Sequence, residues 1–172
     1  MDLLEFKQRV LPARQKLYRL AAFLLQNREE AEDVLQDVFL KLWTNKEKLG
    51  ACNSIEAFAM RVTKNLCLDR LKAKKRKHMV DVAELELELN SEGVSPYKSY
   101  ELADSINKVQ ELVSILPEQQ RLILHLRDVE GYTFEEMEQI TNLTVNNMRV
   151  ILSRARKSVR DGFLKLENYE AR

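Results

Sequence analysis

The sequence predicts an all-α protein: two small helical domains joined by a flexible acidic linker, with a helix-turn-helix in the second. Three observations point there. Only four Gly and three Pro punctuate 172 residues. Apolar residues recur at three- and four-residue spacing along most of the chain. No segment sustains the two-residue alternation of a half-buried strand. Charged residues make up 32% of the sequence, yet the formal charge is only +1, because acids and bases are segregated into blocks. The expected division is residues 1–78, a linker at 79–100, and residues 101–172.

The N-terminal stretch to Gln26 carries apolar positions at Phe6, Val10, Leu17, Leu20, Ala21 and Leu24, with Pro12 breaking it into two helical pieces. Asn27 and Glu30 have the spacing of a capping box. Behind them Ala31, Val34, Leu35, Val38, Phe39, Leu42 and Trp43 keep a 3.6-residue period. The start of this helix is acidic and amide-bearing through Glu29, Glu32, Asp33, Gln36 and Asp37. Such acids suit the positive end of a helix dipole, and they equally suit docking onto a basic partner helix. Periodicity does not separate the two. Lys46 to Asn53 reads as a loop, and Asn53 with Glu56 is the expected cap of a helix burying Ile55, Phe58, Ala59, Val62 and Leu66. From Arg61 on, this helix turns basic through Lys64, Arg70, Lys72, Lys74, Lys75, Arg76 and Lys77, against one acid, Asp69. Charge so dense and one-signed attracts phosphate, although a solvated helix end would also carry it.

The linker supplies Asp81, Glu84, Glu86, Glu88 and Glu92 with Ser, Gly and Pro, the composition of a tether. Helical periodicity resumes through Leu102, Ile106, Val109, Leu112, Val113 and Leu116. Three short helices follow. Pro117 opens the first and Gly131 stops it; Thr133 and Glu136 box the second; Asn142 turns the chain; Thr144 caps the third. On the third, Val145, Met148, Ile151 or Leu152, and Ala155 face inward, leaving Asn146, Asn147, Arg149, Arg154 and Arg156 outward. Two helices across a tight turn, the second basic and amide-rich, is the plan by which a helix enters a DNA major groove. A plain helical bundle has similar pieces.

Other chemistry finds little foothold. Cys52 and Cys67 have no metal-ligand spacing and read as a loop and a small core residue. His78 and His125 are isolated, and no Gly-rich phosphate loop or nucleophile–base spacing stands out. No cofactor, metal or catalytic residue is expected. No apolar run approaches a membrane span, so the expectation is a cytoplasmic protein without membrane insertion.

Three stretches carry a resemblance. EEAEDVLQDVFLKLW (Glu29–Trp43), SIEAFAMRVTKNLCLDRLKAKKRK (Ser54–Lys77) and LPEQQRLILHLRDVEGYTFEEMEQITNLTVNNMRVILSRAR (Leu116–Arg156), in this order, resemble a bacterial RNA polymerase sigma factor of the extracytoplasmic-function group. The resemblance implies a transcription initiation factor, not an enzyme. Its partners would be core RNA polymerase (the β′ clamp helices and the β flap), promoter DNA and an anti-sigma protein. Glu32, Asp33, Gln36 and Asp37 would dock on the clamp helices. Asn53, in the loop Leu49–Ser54, with Arg61, Lys64, Asn65, Arg70, Lys74, Lys75 and Arg76, would read and hold the melted −10 strand. Thr144, Asn146, Asn147, Arg149, Arg154 and Arg156 would serve the −35 element. The chain departs from the family in two places. Ala59-Met60 stand where an aromatic residue is common, and Val150-Ile151 replace polar residues of the recognition helix. The competing class is a helix-turn-helix regulator working without core polymerase, which would need a sensor module that no strand pattern supplies.

Overall fold

A computed structural model describes residues 1–84 and 101–171. Of the expected linker 79–100, residues 85–100 lie outside the described residues. Nine α-helices occur among the described residues: α1 Leu3–Val10, α2 Arg14–Leu25, α3 Arg28–Thr44, α4 Lys46–Gly50, α5 Ile55–Glu84, α6 Glu101–Ser114, α7 Glu118–Leu124, α8 Phe134–Thr141 and α9 Val145–Glu170. No strand is found among them.

Local signals explain most boundaries. Pro12 falls in a 3-10 turn, Leu11–Ala13, between α1 and α2. Gln26 adopts φ 54°, ending α2 left-handed, and Asn27 then accepts from the Glu30 N–H to start α3. Only half of the expected Asn27 box forms, because the Glu30 carboxylate turns to Lys74 on α5. The Thr133–Glu136 box is complete, Asn142 sits at φ 59° and Gly131 at φ +76°.

Three expectations are corrected. Lys46–Gly50 is not loop but the short helix α4, pinned by Leu49, whose side chain is wholly buried. The cap of α5 is Ser54, not Asn53: Ser54 Oγ accepts from the Ala57 N–H at 3.1 Å. Glu56, expected to complete that cap, instead points across the molecule. The buried face of α5 is also wider than one stripe. Ala59, Met60, Thr63 and Cys67 are fully buried while Phe58, Val62 and Leu66 are only half-buried, because α2 and α3 cover one side and α8 another. Burial pushes the Cys67 thiol up to about 12, as for a core residue. Helix α5 runs to Glu84.

α1, α2, α3 and α5 share an apolar core, with Leu17, Leu20, Leu24, Val34, Val38, Leu42 and Met60 at 0–1% exposure. A second set, Ile123, Leu126, Met137, Ile140 and Met148, sits among α7, α8 and α9 at 0%. α6 lies along α9, where Gly162 admits Leu112; a Cβ at that position would stand 2.6 Å from Leu112 Cδ2. α6 is not fully covered, with Ile106 51% and Val109 38% exposed.

The two units pack together through α8 on α5 and α7 on α2, and a polar seam lines the junction. Lys16 Nζ lies 2.7 Å from Glu56 Oε1, to which Tyr132 Oη donates at 2.6 Å. Arg19 forks onto Glu130 with two bonds of 2.8 Å. Glu130 Oε1 stands 3.3 Å from His125 Nε2, and the imidazole stacks on Phe23 at 4.5 Å. Burial works to raise both carboxyls, but Lys16 and Tyr132 hold Glu56 below the usual range, and Arg19 does the same for Glu130. Burial beside the Glu56 carboxylate raises the Tyr132 phenol. It also pushes the His125 imidazole down to about 4, against the pull of Glu130. Glu130 approaches because the chain swells into a π turn, His125–Val129, where the Glu130 N–H donates to the His125 carbonyl five residues back.

Candidate nucleic-acid interface

The N-terminal unit sets an acidic helix beside a basic one. The core-facing stripe of α3 places Glu32, Asp33, Gln36 and Asp37 on the opposite, exposed side. Leu40 shares that side and is 65% exposed. Sequence reasoning passed over it, although an apolar residue out of phase with a regular stripe was the signal. The acids are partly engaged within the chain. Arg70 Nη2 donates to Asp37 Oδ2 at 2.9 Å, Lys74 pairs with Glu30, and Arg14 stands 4.0 Å from Glu32.

The basic edge of α5 is solvent-facing but partly paired, Arg70 and Lys74 with the acids of α3. Asn65, Lys74, Lys75 and Arg76 are exposed, as is Asn53 in the loop before the helix. Arg61 lies 5.4 Å over the Phe58 ring. Lys75 reaches the other unit, 2.6 Å from Glu118 at the start of α7. Lys64 departs from the expectation of an outward cation. It is 9% exposed, on the helix that α8 covers, and burial together with Arg61 lowers its ammonium.

In the C-terminal unit α8 and α9 form the expected helix-turn-helix. Thr144 caps α9 by accepting from the Asn147 N–H at 3.2 Å. Val145, Met148, Ile151, Leu152 and Ala155 face inward, while Asn146, Asn147, Arg149 and Arg154 lie exposed along the outer face. Arg156 is exposed, but its fork is spent on both oxygens of Asp128 in the π turn, so in this arrangement it braces α9 against that turn. Two residues outside the expected DNA-binding set also matter: Phe134, whose sequence position marks it only as part of an apolar face, and Arg127. Phe134 opens α8 with Arg149 5.4 Å and Arg127 4.9 Å from its ring centre. Among the described residues no cluster of His, Cys, Asp or Glu could hold a metal, and no helix is long and apolar enough to cross a membrane.

Comparison with known proteins fits this layout. Residues 10–77 match the family described as Sigma-70 region 2, and residues 106–159 the one described as Sigma-70, region 4. The chain is 26% identical over 152 residues to the ECF RNA polymerase sigma factor SigW of Bacillus subtilis, covering 84% of this chain and 81% of that one. It is 25% identical over 138 residues to the ECF RNA polymerase sigma-E factor of Escherichia coli, covering 76% and 72%. The fold is shared with the sigma factor RpoE of Bartonella quintana, solved with the anti-sigma factor NepR, at a TM-score of 0.72 and 22% identity over 94% of this chain and 97% of that one. With an acid-faced helix and a basic helix under the region 2 match and a helix-turn-helix under the region 4 match, the chain belongs to the extracytoplasmic-function group of sigma factors, transcription initiation factors that direct RNA polymerase to specific promoters.

Proposed function

We propose a division of labour among the helices. The outer face of α3, with Glu32, Asp33, Gln36, Asp37 and the exposed Leu40, docks on the β′ clamp helices of core polymerase. The loop around Asn53 and the edge of α5 hold the melted −10 strand. There Arg61, Asn65, Arg70, Lys74, Lys75 and Arg76 meet phosphates and bases, and Lys64 joins them once α8 moves off α5. α9 enters the −35 duplex with Asn146, Asn147, Arg149 and Arg154, while Thr144 and Arg156 hold the helix in place. Asn pairs naturally with adenine and Arg with guanine. A base taken out of the stack into a protein pocket offsets part of the melting cost, a few kcal/mol for each base. The chain acts in the cytoplasm and performs no chemistry itself.

The observation that carries this reading is the placement of charge. One unit sets an acidic helix face beside a basic helix edge, and the other presents a helix whose outer side is free. A protein partner that restrains the factor also fits the molecule. An apolar groove of about 1200 Å³ runs between α2, α6 and α9, lined by Phe23, Val109, Val129 and Phe163 among others, and an anti-sigma protein is its natural occupant.

The test mixes the chain with core RNA polymerase and genomic DNA of its own bacterium. New promoter-specific transcripts are expected, with only weak binding to duplex when core is absent. Nanomolar duplex binding by the chain alone, without new transcripts, would instead identify a regulator.

A further inference from the structure

The ring of Phe134 belongs to α8, yet it lies against a cation of the neighbouring helix. Arg149 projects from the second turn of α9 with its guanidinium carbon 5.4 Å from the centre of that ring. Arg127, from the π turn, sits 4.9 Å from the same centre, and its own Nη1 donates to the Tyr132 carbonyl at 2.7 Å. Arg127 is thus tied to the backbone one residue before the Thr133 cap, and the half-buried ring it touches is held at the first position of α8.

We propose that Phe134 is a positioning residue for sequence reading: it pre-orders Arg149 so that the guanidinium meets one base pair of the −35 element already aimed. This rests on Arg149 being a base reader. The geometry favours it because a guanidinium has two separate binding surfaces. Its flat face is attracted to an aromatic ring, while its in-plane N–H groups remain available for a forked contact to guanine O6 and N7. Arg149 is exposed and has no ion pair among the described residues, so its fork is unspent. Arg156 on the same helix shows the other case, its fork consumed by Asp128. A long flexible side chain loses rotamer freedom when it engages a base, and a ring that has already narrowed its choices reduces that loss.

The rest of the pocket agrees. Phe134, Arg149, Ser153, Lys157 and Arg160 line a hollow of about 330 Å³ beside α9. Cations along this wall favour the phosphates on either side of the contacted pair. Discrimination at one base pair would then come from Arg149, and the general grip from its neighbours.

The test uses holoenzyme, assembled from the chain and core polymerase, on a promoter library randomised across the −35 element, with transcripts counted by sequencing. Arg149→Ala should collapse the preference at one base pair, guanine being the expected favourite. Phe134→Leu should weaken preference at that same pair by roughly two- to fivefold, the worth of an exposed cation–ring contact, and leave other positions unchanged. Phe134→Tyr, which keeps the ring, should restore wild-type preference. In the Arg149→Ala background Phe134→Leu should add nothing. A uniform loss across all positions with Phe134→Leu, or no loss at the Arg149 position, overturns the positioning role while Arg149 stands as a reader. If Arg149→Ala leaves every preference intact, the reader is misassigned and the role of Phe134 falls with it.

Discussion

His125 makes the stability of this protein depend on pH in a window that can be worked out. Its ring is 3% exposed, stacked on Phe23, and both of its nitrogens lack hydrogen-bond partners. Burial holds its pKa at about 4 against an ordinary 6.5. The groups facing it are Glu130, 3.3 Å away, and Arg19, which forks onto Glu130. Glu130 is itself held low by Arg19, so across pH 5 to 7 it stays charged and only the imidazole titrates. Within that window the unfolded chain takes up a proton and the folded chain does not. Stability therefore falls as pH drops below about 6.5, and this contribution levels off below about 4. At about 1.4 kcal/mol per tenfold, the ceiling is about 3 kcal/mol, of which about 2 kcal/mol is lost between pH 7 and pH 5. Urea titrations at pH 7, 6 and 5, followed by circular dichroism, measure this directly. His125→Phe should flatten the slope by that amount. Equal pH slopes in wild type and His125→Phe would refute the argument.

Three further outcomes follow from the geometry. Tyr132→Phe removes the hydroxyl that donates to Glu56 at 2.6 Å; since the carboxylate is 36% exposed and water can replace the donor, the cost is about 1–2 kcal/mol. It should appear as a lower urea midpoint and as broader spin-label distances between the two units. Gly131→Ala forces a side chain onto φ +76°, costing about 1–2 kcal/mol in urea titration with an unchanged helical spectrum. Asp33→Arg should weaken core polymerase binding at least about tenfold in a fluorescence titration, with melting unchanged, because Asp33 is exposed and carries no ion pair among the described residues. Asp37→Arg is a less clean test, since it also breaks the bond to Arg70.

What could be read from sequence was mostly what is local. The caps at Asn27, Thr133 and Thr144, the turns at Gly131 and Asn142, and the inward face of α9 depend on residues three or four apart, and all are found. Choosing between Asn53 and Ser54 required knowing where Glu56 goes, and Glu56 is drawn to Lys16 and Tyr132, forty and seventy-six residues away. The same holds for the candidate site. Asp37 and Arg70 were singled out separately, but nothing in either neighbourhood announces that they bond to each other across 33 residues. Lys64 belongs to the basic run by its charge, yet it is buried on a helix that neighbours cover from several sides. Arg156 was read for its charge alone, and Asp128 has its fork. Pairings of this kind belong to the folded arrangement, which periodicity does not encode.

The π turn at His125–Val129 makes spacing, more than residue type, the sensitive quantity between α7 and α8. A helix advances about 100° with each residue. The turn has already absorbed one extra residue; inserting another would leave it nowhere to go and swing everything downstream by over a quarter of a circle. Glu130 would then point away from Arg19 and Tyr132 away from Glu56, although each side chain was still present. Substitutions here trim one contact at a time; a change in chain length would unmake the whole seam at a stroke.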